Sequence, residues 1–310
     1  MNLIDVFNGD ADGLCALHQL RLADPADSKL VTGPKRDISL LKRVEAQSGD
    51  RVTVLDIALS KNRDALDKLL EAGVQVRYFD HHQPGDIPAH PNFESHIDTD
   101  ANVCTSLLVN RHLQGRQQAW AVTGAFGDNL ADAARQAAAP LDLSAGQLAQ
   151  LQSLGECLNY NGYGETLDDL FFDPADLYRQ LRPFADPFAF IAESPAYPTL
   201  KTGYQEDMAR AVDVEPMEAR ASGRIFMLPA EKWARRISGV FGNQLAVESP
   251  AQAHAVLTAK PGGYVVSVRA PLVSKIGADQ LCSQFETGGG RKGAAGGTGR
   301  KTLRAVAGAE

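Results

Sequence analysis

Short apolar runs of strand length alternate, over the first eighty residues, with segments whose apolar positions recur at helical spacing. Leu3 to Phe7 (LIDVF) reads as a buried strand, and Gly13 to Ala23 (GLCALHQLRLA) as a helix entered through a tight loop. Arg51 to Leu59 (RVTVLDIAL) is a second strand, and Asn62 to Gly73 an amphipathic helix closed by its glycine. Val74 to Phe79 (VQVRYF) is a third strand. This alternation predicts an α/β fold, a mostly parallel sheet flanked by helices. In such sheets ligands bind beyond the carboxyl ends of the strands. Acids and histidines occupy those positions here.

Further along, Asp173 and Pro174 pair as N-cap and first helical residue. Two prolines and weak periodicity mark Ala192 to Gly203 as a linker, with YQEDMARAV beginning a connecting helix. The expected organisation is a first domain over 1–195, a linker and connecting helix over 196–214, and a smaller α+β domain over 215–310. Within the last, GRIFMLP and GYVVSVRA read as strands and EKWARRISGVFGNQLA as a helix. Ser249 and Pro250 look like a second helix-start pair, ahead of AQAHAVLTA. Gly288 to Gly299 follows a helical pattern, which favours a structured loop. No internal repeat is evident.

Composition narrows this picture. At 310 residues and 44% hydrophobic the chain can bury a substantial core. No apolar run is long enough to cross a bilayer, and the start (MNLIDVFNGD) lacks the basic and apolar regions of a secretory signal, so a cytoplasmic location without membrane contact is expected. Cys15, Cys104, Cys157 and Cys282 are widely spaced and read as structural thiols. A net charge of −7 argues against a broad basic surface for a long nucleic acid, long duplex included, but leaves room for a small anionic substrate.

Four acidic signals then stand out. Asp10 and Asp12 sit in a glycine-flanked turn (FNGDADGL), where they either share a cation or cap the next helix as an Asx turn. Asp56 ends a β-branched strand, where a carboxylate is costly to bury unless it has a partner or caps the following turn. Asp80, His81 and His82 end the third strand. Asp128 lies in TGAFGDNL, read as a turn exposed by Gly124 and Gly127. Converging on one sheet edge, these oxygen ligands with one imidazole suit manganese or magnesium. Two such ions about 3.5–4 Å apart activate a water and clamp an in-line displacement at phosphorus, which points to a phosphoester hydrolase.

As an ordered set, NGDADG, the Asp56 strand end, Asp80-His81-His82 and the GDN at Asp128 resemble the DHH phosphoesterase superfamily. SVRA at Arg269 and GGGRKGAAG from Gly288 resemble the DHH-associated domain of nano-RNases and RecJ-like nucleases. The likeness covers nearly the whole chain. It implies an active site in the cleft between the two domains, with two divalent ions, Mn2+ or alternatively Mg2+, held by Asp10, Asp12, Asp56, His81 and Asp128, and Asp56 bridging them. It implies that Asp56 and His82 are catalytic, His82 facing the scissile phosphate. Arg269 is expected to pair with a substrate phosphate, the backbone of Gly288, Gly289 and Gly290 with Arg291 and Lys292 to cradle a terminal one, and Asn8 and Asn129 to line the substrate. Two departures are notable: Asn8 and Arg291 stand where many members carry histidine.

The resemblance is strongest to a subgroup that degrades diribonucleotides, including pGpG, the linear product of cyclic di-GMP turnover. With 7% aromatic residues and an acidic balance, the chain lacks the extended stacking channel of a processive nuclease. The expected partner is a short oligoribonucleotide or dinucleotide cleaved to mononucleotides, with a homodimer left open. RecJ-like 5′ exonuclease and nucleotide 3′-phosphatase are alternatives within the family; inorganic pyrophosphatases share the first four motifs but not the glycine-rich ending. A nucleotide-binding regulatory protein with a decayed site is the reading from another class, motivated by Asn8 and Arg291.

Overall fold

The computed structural model describes residues 1–285 and 287–300, with the backbone alone at Arg291 and Arg300. It divides into two compact units between Thr202 and Gly203. In the first, β1 (Leu3–Phe7), α1 (Ala11–Ala23), β2 (Lys29–Val31), β3 (Arg51–Leu55), α2 (Leu59–Glu71), β4 (Gln75–Asp80) and β5 (Phe93–Ile97) precede a helical run. That run comprises α3 (Thr105–His112), α4 (Gln118–Gly127), α5 (Ala131–Ala138), α6 (Ala145–Gly162), α7 (Pro174–Leu181) and α8 (Pro187–Glu193), after which α9 (Ala196–Val212) carries the chain from the first unit into the second. The five strands form one all-parallel sheet in the order β2-β1-β3-β4-β5.

Period-two alternation splits the core between the two faces. Ile4, Val6, Val52, Val54, Val76 and Tyr78 pack with α2 residues such as Leu66 and Leu70. Phe7, Leu55 and Phe79 pack with α1 and the helical run, among them Leu14, Leu17, Trp120, Leu158 and Leu177.

The second unit contains β6 (Glu218–Arg220), β7 (Gly223–Leu228), α10 (Lys232–Glu248), β8 (Ala253–Lys260), β9 (Gly263–Arg269), α11 (Ala278–Cys282), β10 (Gly289–Arg291) and β11 (Ala294–Arg300). Its sheet runs β10-β11-β9-β8-β7-β6 and is antiparallel except for the β7–β8 pair. This is the smaller α+β block expected beside the parallel sheet. Among the described residues, no helix is long and apolar enough to cross a membrane. All four cysteines are free and buried.

Several local readings change. The β3 strand stops at Leu55, because Asp56 adopts a left-handed conformation (φ +59°) that ends the ladder. The proposed linker is mostly helix: α9 starts at Ala196, and Pro198 falls in its first turn, where no backbone N–H is needed. Ser249 and Pro250 end α10 rather than open a helix; the residues that follow form β8, and the proline stops α10. Gly288 to Gly299 is not a loop but a paired hairpin, with β11 matched to β9 over seven positions. The strands β2 and β5 went unrecognised, β2 being only three residues long and β5 largely polar.

Gly124 and Gly127 lie inside α4 rather than in a turn. Their missing side chains let helices touch: a Cβ at Gly127 would fall 2.2 Å from the Ala11 Cβ and 2.7 Å from the Gly155 carbonyl oxygen. Close approach of α1, α4 and α6 therefore depends on them. Gly127→Ala is expected to destabilise the protein by about 1–3 kcal/mol. Gly146→Ala in α6, with no atom nearer than 3.9 Å, is expected to be neutral or to stabilise by up to about 1 kcal/mol. Urea melts of the two variants check both values.

Candidate functional site

Three strands end level. Phe7, Leu55 and Phe79 are cross-strand partners, so the residues that follow, Asn8, Asp56 and Asp80, reach the carboxyl edge side by side. All three are buried, at 7%, 3% and 0% exposure. The loops and helix ends above that edge bring in the other acids.

Asp10 caps α1, as the Asx-turn alternative held: its Oδ1 accepts from the N–H groups of Asp12 (3.0 Å) and Gly13 (3.1 Å). Its Oδ2 accepts from Lys35 Nζ at 2.5 Å. Asp12 accepts from the first two N–H groups of α3, Thr105 at 2.8 Å and Ser106 at 2.7 Å, so a helix N-terminus orients its carboxylate. Asp56 accepts from the Thr105 hydroxyl at 3.4 Å. Asp128 is the C-cap of α4 and is 7% exposed, not displayed on a turn. It is held there by a Schellman ending, in which Asn129 takes the left-handed conformation (φ +63°). The Asn129 N–H donates to Phe126 at 3.1 Å and the Leu130 N–H to Ala125 at 2.9 Å.

His81 ties these acids together. Its Nδ1 lies 2.9 Å from the Val103 carbonyl oxygen, which can only accept, so Nδ1 carries the proton. Its Nε2 faces three carboxylates: Asp56 at 3.3 Å, Asp128 at 3.8 Å and Asp12 at 3.9 Å. Unprotonated, that nitrogen would set a lone pair against carboxylates, which is repulsive. A cation between them turns every one of these contacts favourable, and a backbone acceptor on the far nitrogen is the usual outer-shell partner of a metal-bound histidine.

Electrostatics agree. Burial, reinforced by the negative charge of Asp128, raises the Asp12 carboxyl above its ordinary range despite opposing help from His81 and Ser106. Burial and the charges of Asp10 and Asp12 push Asp56 well above it, His82 acting in the other direction. The donor set of carboxylates and one imidazole suits a hard or borderline divalent ion. Among the described residues, Asp12–His81–Asp128 and Asp56–His81–His82 each bring ligand atoms within 4.8 Å of one another. In addition, the buried Asn8 Oδ1 has no hydrogen-bond partner, an orphan acceptor at the same strand edge.

His82 sits differently. Its side chain is 43% exposed, and Nδ1–H donates to Asp80 Oδ1 at 2.7 Å. Desolvation lowers its basicity, but the hydrogen bond and charge of Asp80, with Asp56 adding, raise it on balance above the usual imidazole range. Asp80 is therefore the residue that orients His82 and raises its basicity.

Lys35, Asn159 and Tyr163 were not foreseen. Lys35 reaches the cluster from the loop after β2, a strand too short and polar to be read, and Asn159 and Tyr163 come from the end of α6 with no motif to mark them. In the second unit, Arg269 is 8% exposed and spends its guanidinium on Asn243 (2.5 Å), Ser267 (3.0 Å) and the carbonyls of Val268 (3.0 Å) and Gly239 (2.9 Å). These bonds fasten β9 to α10. A Cβ at Gly288 would fall 1.6 Å from the Cys282 carbonyl oxygen, and Gly290 has φ +144° and abuts Ala295, so both glycines serve the packing of the hairpin. Gly289 faces open space. Lys292 is exposed, its carbonyl accepting from Ala278 at 3.0 Å. The side chain of Arg291 lies outside those described.

No protein-family model matches the sequence, and no curated protein matches it. Solved structures do: they are DHH-domain proteins, and this chain has their fold. A DHH-domain protein described as a member of a family of ribosomal proteins aligns with a TM-score of 0.65 at 14% identity, covering 99% of this chain and 84% of the other. The exonuclease RecJ bound to manganese aligns at 0.57 with 18% identity, covering 99% and 87%. The pGpG-specific phosphodiesterase PggH from Vibrio cholerae aligns at 0.54 with 13% identity, covering 97% and 94%.

Two measurements probe the site. Asp12 and Asp56 bind protons more tightly folded than unfolded, where the reference value is 3.8, so their contribution to stability falls as pH rises from that value through the raised folded ones. A metal must displace those protons. Mn2+ is thus expected to raise Tm, more at about pH 8 than at about pH 5, with ~2.7 kcal/mol per site at a hundred times Kd. Equal Tm with and without Mn2+ at both pH values would contradict the assignment. Second, Asp80→Asn is expected to lower the His82 pKa, followed by NMR titration of the ring protons of the metal-free protein.

Proposed function

We propose that this protein is a divalent-metal-dependent phosphodiesterase that hydrolyses short linear oligoribonucleotides, diribonucleotides such as pGpG above all, to mononucleotides. The observation that carries the metal-dependent part is the His81 arrangement: a ring fixed through Nδ1 by the Val103 carbonyl, with Nε2 facing Asp12, Asp56 and Asp128. The substrate class takes its support from the likeness to PggH over 97% of this chain and from the acidic composition.

Asp10, Asp12, Asp56, His81 and Asp128 would hold the ions, manganese first and magnesium second. Bound there, divalent ions supply an acidified water as nucleophile and charge neutralisation for the phosphate. The chain's own residues do the rest. The Asp12 carboxylate is aimed by the α3 N-terminus, and Asp56 is aimed by its left-handed backbone. Asp80 accepts a hydrogen bond from Nδ1–H of His82, which leaves the other ring nitrogen to give a hydrogen bond or a proton to a phosphate oxygen. Asn8 and Asn129 would line the substrate; within the second unit, the hairpin backbone and Lys292 would bind phosphate.

Purified protein with Mn2+ is expected to turn over pGpG, with rates falling as strands lengthen, and to leave 3′-phosphoadenosine 5′-phosphate intact. Comparable rates on long strands would favour an exonuclease, and turnover of none of these substrates a nucleotide-binding protein. His82→Ala should lower kcat by about 100-fold or more while Mn2+ affinity stays within about threefold. Asp56→Asn should lower both kcat and Mn2+ affinity, the latter by more than about tenfold. Equal metal loss in the two variants would contradict the division of roles.

A further inference from the structure

Asp10 stands apart from the other acids. Neither of the two groups whose ligand atoms converge within 4.8 Å includes it. Its Oδ1 is engaged by two N–H groups of α1, and its Oδ2 by the Lys35 ammonium. That ammonium is gripped from several directions at once. Asp128 Oδ1 lies 3.9 Å away, Asn159 Oδ1 accepts at 3.2 Å, and the Tyr163 ring is 5.5 Å from Nζ. The Lys35 main chain is anchored as well, its N–H donating to the Gly162 carbonyl at 2.9 Å. With a side chain 25% exposed, this is no loose surface ion pair.

We propose that Lys35 is a resident cation for the Asp10 side of the centre, so that the centre has two unequal halves. A divalent ion enters between His81, Asp12, Asp56 and Asp128 without disturbing Lys35; an ion that reaches Asp10 has to displace the ammonium first. The inference rests on the metal reading given under the proposed function and deepens it. Lysine and metal compete for the same carboxylate lone pairs, and the ammonium, a point charge on a flexible stem, is displaced rather than shared. Lys35 is thereby a positioning residue that acts through Asp10.

Calorimetric titration of the metal-free protein with Mn2+, without substrate, tests this. The parent protein is expected to show one tight and one weak site, separated by about tenfold or more. Lys35→Met should tighten the weak site by about tenfold and leave the tight one within about threefold, whereas Lys35→Arg, which keeps the charge, should keep the gap. Should Lys35→Met fail to fold, Asp10→Asn gives an independent reading: it should abolish the weak site and spare the tight one. Two equal sites in the parent, an unchanged gap in Lys35→Met, or loss of the tight site in Asp10→Asn would each overturn the inference. If the parent binds no Mn2+ at all, the metal reading falls and this inference with it; if it binds Mn2+ and only the variants disagree, the inference alone falls.

Discussion

Carboxylates cannot be crowded together away from water unless something positive stands among them, and the first unit of this protein is organised around that constraint. Asp10, Asp12, Asp56 and Asp128 are each 7% exposed or less, and the last three face one imidazole nitrogen whose partner nitrogen is already committed to a main-chain oxygen. Burial of several like charges costs more than any of their individual hydrogen bonds returns. The fold meets part of that cost with Lys35 and with the backbone dipoles at the start of α1 and α3. What remains is a demand for cations, and that demand is the chemical content of the site.

The scaffold brings the acids to one place by two devices. One is the level ending of β1, β3 and β4, a direct result of in-register parallel pairing. The other is the tight approach of α1, α4 and α6 through Gly124, Gly127 and Gly155, which carries Asp128 from a helix end to the strand edge. The Asp56 backbone completes the arrangement. A non-glycine residue at φ +59° is uncommon, and aspartate is among the residues that tolerate it best, so conformation and chemistry select the same side chain there.

Much of this could be read from the chain alone, and the reasons for the rest are physical. Strands β1, β3 and β4 announced themselves because both faces of a parallel sheet are buried, and the polar residues at their ends stood out against an apolar run. Three-residue β2 and largely polar β5 carried no such contrast, and without β2 the nearby Lys35 had no structural address. The glycines around Asp128 were misread because glycine signals a turn and a close helix contact with equal force; only tertiary packing separates them. In the second unit, the glycine-rich run and Arg269 were read for phosphate, and the packing they also serve, in a hairpin against α11 and in fastening β9 to α10, carries no mark in the sequence. Ser249 and Pro250 illustrate the same ambiguity, since proline after a helix and proline at a helix start look alike in one dimension.

The bond between His81 and Val103 has a wider consequence. Because the acceptor is a main-chain oxygen, any amino acid at that position offers it equally, and the ring's tautomer survives side-chain turnover there. Asp12 gains the same insurance from the peptide N–H groups of Thr105 and Ser106. A centre whose orientation is written in peptide groups rather than in neighbouring side chains tolerates deep divergence of its surroundings.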